Sequence, residues 1–173
     1  IYPGSCREGI PAGKTARVTR LRTNDEAVRF QDLIAGAQSQ RIESEVGDFV
    51  IRRADGYTAY QLAVVVDDGD QGITHVVRGA DLLQSTARQI YLQRLLGLPS
   101  PEYAHTPLVL DEQGRKLSKQ DQAHPVSART PLSSLWFAYQ FLYNTTEEPD
   151  VGSVAEFWQW ALGQPAAIPV ASA

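Results

Sequence analysis

Two lysines three residues apart, Lys116 and Lys119, sit in the polar stretch GRKLSKQD (114–121) with the hydroxyl of Ser118 between them. Ammonium groups on flexible stems can grip a polyphosphate and follow its charge as it shifts. The same residues also make an ordinary solvated turn, so their meaning depends on their surroundings. Other residues invite a chemical reading. Arg78-Gly79 closes the apolar run ITHVVRG, and Asp67-Asp68 looks like a carboxylate pair. An Asp pair followed by Gly69 more simply ends an element and orders a turn. Arg17, Arg20, Arg22, Arg52 and Arg53 form the dense basic stretches, readable as solvated strand edges or as phosphate contacts to RNA. Trp136, Trp158 and Trp160 could stack nucleobases, although core packing is the simpler expectation.

The elements that position these groups come from a 173-residue chain, enough for one domain with a small appendage. Apolar residues make up 43% and charged residues 21%, the balance of a globular chain. A net charge of −4 argues against a generally basic nucleic-acid binder but leaves room for a local basic patch. No apolar run approaches the roughly 20 residues of a membrane span, and no basic-then-apolar segment opens the chain. Cys6 is the single cysteine, so no internal disulfide forms and a cytoplasmic location is expected. The chain opens on Ile1 and contains no methionine, which reads as a fragment.

Along the chain, TARVTRLRT, GDFVIRRADG, ITHVVRG and HTPLVL are expected as strands. The polar segment from Asn24 to Glu45 carries only short apolar knots. AYQLAVVVDDGDQG suits a buried strand by its valines and a buried helix by its length. The best helical pattern runs from Asp81 to Leu96, with Asp81 or Ser85 as cap and Gly97 and Pro99 as stop. Two further helices are expected within Leu132–Tyr143 and Val154–Leu162. Strand, helix, strand, lysine loop and then helices describe an α/β half-domain leading into a helical appendage. In such sheets ligands bind beyond the carboxyl ends of strands.

The combination LAVVVDD, then GITHVVRGADLLQSTARQ, then KLSK resembles the class I glutamyl-tRNA synthetases across residues 47 to 122. Within them it is most similar to the short paralogues that glutamylate the queuosine base of tRNA(Asp). The short remainder after Lys119, the K-L-S-K-Q loop and the opening YPGSC carry that likeness. The resemblance implies the second half of a class I Rossmann-like domain with a C-terminal helical appendage. Residues 1–46 would be a partial connecting or zinc-subdomain region, 47–125 the catalytic half-fold, and 126–173 the helical region. It implies a monomeric, non-membrane ligase that activates glutamate with ATP and Mg and transfers it to the anticodon region of tRNA(Asp).

By the same resemblance, Lys119 and Lys116 are catalytic and bind ATP with Ser118, and Gly114 lets their loop move. Arg78 and Tyr60 bind glutamate, Arg78 through a planar fork that suits a carboxylate. Gln61 stands where the family often has Asn or His. Asp81 reads as a helix cap. Tyr2 and Cys6 match half of a zinc site whose Cys-x-Cys partner pair is absent, so zinc is expected in an intact protein and little within this chain. His75, His105 and His124 show no spacing that completes it. The family's H-I-G-H-like signature is also absent, so this chain alone is expected to be inactive in adenylate formation. Two alternatives stand beside this reading: a non-catalytic tRNA- or nucleotide-binding module, and part of a true glutamyl-tRNA synthetase.

Overall fold

The computed structural model describes residues 1–10, 12–117 and 128–164. The chain divides into two compact units, Ile1–His105 and Thr106–Ala173. The first holds a two-stranded antiparallel sheet, β1 (Thr19–Leu21) with β4 (Phe49–Arg52). It also holds a four-stranded sheet in the order β3-β2-β6-β5, from β2 (Ala27–Asp32), β3 (Gly36–Arg41), β5 (His75–Gly79) and β6 (Glu102–Thr106). Two helices, α1 (Tyr60–Asp70) and α2 (Leu83–Leu96), pack on each other, α1 against β4 and α2 against β2. Val28, Ile42, Phe49, Val65, Ile90 and Leu92 lie in the core between them. Full burial of each such side chain contributes roughly 1.5–3 kcal/mol.

Several elements form where local chemistry places them. Gly97 adopts φ 68°, a left-handed position open to glycine, and stops α2 as expected. β5 ends at Gly79, and Asp55-Gly56 turns the chain after β4. Five readings are corrected or extended. Residues 27–41, read only as part of a polar segment with short apolar knots, form a β-hairpin, because Val28 and Asp32 are buried inward while the outward face stays polar. α1 runs through Gly69 to Asp70, so Asp67 and Asp68 lie in its last turn, and the chain reverses at Gly72 with φ 65°. α2 begins after a 3-10 turn at Ala80–Leu82 and has no side-chain cap, so neither Asp81 nor Ser85 caps it. The strand expected in HTPLVL begins earlier, at Glu102, and ends at Thr106. β1 covers only Thr19–Leu21 of the longer stretch expected there.

The segment before β4 ties down the start of the chain. Gly47 takes φ 77°, and a Cβ there would meet Ile1 Cγ2 at 2.7 Å and Tyr2 N at 3.2 Å. Beside it, the buried carboxylate of Asp48 accepts from Arg7 Nη2 at 2.6 Å and Nε at 2.7 Å, and from Thr23 N at 2.9 Å. The Arg7 guanidinium holds this carboxyl far below the usual range against the opposing effect of burial. A depressed folded-state pKa gives stability that is present above about pH 4 and is lost as pH falls through the folded value. Asp48→Asn is therefore expected to lower this chain's unfolding free energy by about 1.5–3 kcal/mol at pH 7, the range for hydrogen bonds to charged groups. It should also flatten the loss of stability between pH 4 and pH 2. Urea unfolding at pH 7, 4 and 3 measures both, and parallel acid limbs in parent and variant would contradict the account.

In the second unit, α3 (Pro131–Tyr143) starts with Pro131 in its first turn, and α4 (Val154–Leu162) is capped by Ser153, whose hydroxyl accepts from Glu156 N. Trp136 is buried between them, 4.9 Å from the Phe157 ring and 5.1 Å from that of Trp160. The core expectation thus holds for Trp136, while Trp160 is half-buried against its ring and Trp158 is half exposed. No helix among the described residues is long and apolar enough to cross a membrane.

Candidate functional site

Arg78 sits at the end of β5, one residue before its terminal glycine. Its guanidinium is held from three sides. Nε donates to His105 Nε2 at 3.1 Å, and Nη2 donates to Thr86 Oγ1 at 2.9 Å and to Gln89 Oε1 at 2.7 Å. The Tyr103 ring lies 5.5 Å from the guanidinium carbon, within cation–π range. Thr86 and Gln89 come from α2, where Thr86, Gln89 and Gln93 form a buried polar stripe at helical spacing. Gln89 in turn donates to Gln61 Oε1 at 2.9 Å, and Gln61 to Ser85 Oγ at 3.2 Å. Gln61 follows Tyr60, the exposed first residue of α1. The departure noted at Gln61 thus has a structural meaning: its amide completes the polar chain from Arg78 toward the start of α1.

Behind Arg78 lies a pair that the sequence did not flag. β2 runs parallel to β6 with Asp32 opposite Tyr103, which brings Asp32 to His105 across 73 residues of sequence. His105 Nδ1 lies 2.5 Å from Asp32 Oδ2, and both side chains are wholly buried. Asp32 Oδ1 also accepts from the backbone N–H groups of Ala35, Ile34 and His105. Burial pushes this carboxyl up, but those bonds and the His105 ring outweigh it and hold it below the ordinary carboxylate range. Arg78 Nε can only donate, so His105 Nε2 must accept and Nδ1 must carry the hydrogen given to Asp32. The imidazole is therefore neutral, in the Nδ1–H tautomer. The helical spacing of Thr86, Gln89 and Gln93 was the sequence signal for the α2 side of this network alone.

The other expected site residues belong to other segments of the chain. Lys116, in the second unit, pairs across a tight turn with Leu110, and Leu117 N donates to Val109 O. Asp111 orders that turn by accepting from Gln113 N, Arg115 N and Arg115 Nε. Gly114 stands there at φ 75°, a left-handed position that the turn requires of glycine. Ser118, Lys119 and His124 lie outside the described residues. Tyr2 and Cys6 do come together: the Tyr2 hydroxyl accepts from Cys6 N at 2.7 Å, and Arg20 lies 4.3 Å over the Tyr2 ring. They line a cavity of about 590 Å³ that also takes in Lys14, Arg17 and Arg22. Arg52 and Arg53 serve the neighbouring turn through Gly56 O and Asp55.

Comparison with known proteins fits this geometry. Residues 5–130 match the model of the catalytic domain of class I tRNA synthetases (E and Q). A glutamyl-Q tRNA(Asp) synthetase of Janthinobacterium sp. (strain Marseille) is 54% identical over 167 residues, covering 94% of this chain and 56% of the relative. One from Burkholderia mallei is 60% identical over 144 residues, covering 82% of this chain and 48% of the relative. The chain thus spans about half the length of the curated relatives it matches. Among solved structures, the glutamate-tRNA synthetase of Elizabethkingia anophelis matches with TM-score 0.53 at 36% identity, over 60% of this chain and 21% of that one. A glutamate tRNA ligase from Elizabethkingia meningosepticum, in complex with its amino acid, gives 0.54 at 31%, over 66% and 25%. The match to the catalytic-domain model spans the whole first unit beyond its opening residues, including every strand and helix that holds Arg78, and the chain accordingly belongs to the α/β catalytic-domain family of the class I glutamyl and glutaminyl tRNA synthetases.

Proposed function

We propose that this chain is part of an enzyme that activates glutamate with ATP and esterifies it to the queuosine base in the anticodon of tRNA(Asp). The observation that carries this reading is the pinned guanidinium of Arg78 at a strand's carboxyl end, in a chain 54% identical to a glutamyl-Q tRNA(Asp) synthetase. Arg78 would hold a glutamate carboxylate, with the Tyr60 hydroxyl and ring beside it. Lys119 and Lys116, with Ser118, would meet the phosphates of ATP and its Mg, where negative charge develops as pyrophosphate leaves. Residues 47–125 supply the second nucleotide-binding half, 1–46 a connecting region and 126–173 a helical region. The cations around the 590 Å³ cavity suit phosphate contacts with the RNA.

Zinc is proposed for an intact protein only, with Tyr2 and Cys6 as half of its site. Tyr2 and Cys6 offer two donors where a closed site takes four, and no group of three or more His, Cys, Asp or Glu among the described residues could hold a metal.

The distinguishing experiment uses the full-length protein encoded by the gene, labelled glutamate and tRNA(Asp) prepared with and without queuosine. Label should enter only the queuosine-containing tRNA, and it should survive removal of the 3′-terminal adenosine. Label lost with that adenosine would instead indicate a glutamyl-tRNA synthetase. ATP and tRNA binding without transfer would indicate a non-catalytic module.

A further inference from the structure

We infer that Asp32 and His105 are positioning residues for Arg78, fixing the plane in which its guanidinium is offered to an anionic group of the amino-acid substrate. The inference rests on the reading of Arg78 as the glutamate contact. Three points on the molecule carry it.

The first point is cost. Asp32 and His105 are entirely buried, and burying a carboxylate and an imidazole is unfavourable unless they are fully partnered. A pair of apolar residues would fill the same space without that cost, so the pair needs another reason than packing.

The second is direction. Asp32 can fix only one end of the imidazole, and doing so leaves Nε2 as an acceptor facing Arg78 Nε at 3.1 Å. Thr86 Oγ1 lies 3.2 Å from the same nitrogen and accepts from Arg78 Nη2, so His105 and Thr86 together meet two nitrogens of one guanidinium.

The third is rigidity. Asp32 is itself locked by the backbone N–H groups of Ile34 and Ala35 and by that of His105, and the His105 ring stacks on Tyr103 at 6.2 Å. The arginine is therefore aimed by the sheet. An arginine held in this way loses less freedom on gripping a carboxylate than one in solvent.

The test compares His105→Asn, His105→Gln and Arg78→Ala by glutamate-dependent ATP–pyrophosphate exchange with the full-length protein, after thermal melts show each to be folded. Asparagine keeps a donor for Asp32 but offers Arg78 no acceptor. The glutamate KM should rise on the order of 10- to 10²-fold, with kcat and the ATP KM changed much less. Glutamine can place its side-chain oxygen near the position of Nε2, and it should recover most of that loss. In the Arg78→Ala background, His105→Asn should add nothing further. If Arg78→Ala raises the glutamate KM while folded His105→Asn leaves it unchanged, the pair is merely structural, and the reading of Arg78 survives. If Arg78→Ala itself leaves the KM unchanged, both fall together. Should His105→Asn not fold, Asp32→Asn takes its place. It removes the charge that fixes the tautomer, so the same rise is expected and the same lack of change would overturn the inference.

Discussion

Lys119→Ala is expected to slow glutamate activation on the order of 10²–10³-fold in the full-length protein, with a smaller effect on glutamate KM. Activation is attack of a carboxylate on the α-phosphate of ATP with loss of pyrophosphate, so negative charge moves between two anionic groups. A cation that meets this charge only as it develops contributes to rate more than to ground-state binding. One such well-placed interaction is worth roughly 2.7–4 kcal/mol, which converts to that loss of rate. Lys116→Ala should cost less. The backbone of Lys116 already closes the turn with Leu110, which suits a residue that supports the loop. Pyrophosphate exchange measures both variants. Rates within a few-fold of the parent for Lys119→Ala would remove this lysine from the chemistry.

Arg78→Lys should fail nearly as badly as Arg78→Ala. Both are expected to raise glutamate KM on the order of 10²-fold, as loss of a charge-assisted bond worth about 1.5–3 kcal/mol requires. Lysine keeps the charge, but its single ammonium cannot reproduce bonds that leave Nε and Nη2 in one plane toward His105, Thr86 and Gln89. Were Arg78 only a surface ion pair, Arg78→Lys would match the parent, since such pairs contribute roughly 0–1 kcal/mol. Buried partners make stability a confounding effect, so melting temperatures must accompany the kinetics. A folded Arg78→Lys variant with parental KM and rate would refute the assignment and weaken that of Tyr60, the residue before Gln61 on the same polar chain.

Local signals in the sequence determined the elements whose ends are set by neighbouring residues. Gly97 stops α2 because its left-handed φ carries no Cβ penalty there, and Pro131 and Ser153 start α3 and α4 for equally local reasons. The turns at Asp55-Gly56 and Asp111–Gly114 are of the same kind. Arg78, Lys116 and Lys119 could be proposed as site residues from the sequence because they stand in stretches that resemble the family's motifs.

Tertiary structure alone decided the rest. The valines of α1 favour a strand locally, yet packing on α2 and β4 makes the segment helical, since burial outweighs a weak propensity. The β2–β3 hairpin has too little apolar alternation to be read before its partner strands are known. His105 is one histidine among three, and its spacing to Tyr2 and Cys6 gives it no role. Its meaning arises only when parallel pairing of β2 and β6 brings Asp32 across 73 residues, and when the same sheet sets Arg78, 27 residues away, on its other nitrogen. Hydrogen-bond partners so far apart leave no periodicity in the chain, because the geometry that joins them belongs to the sheet.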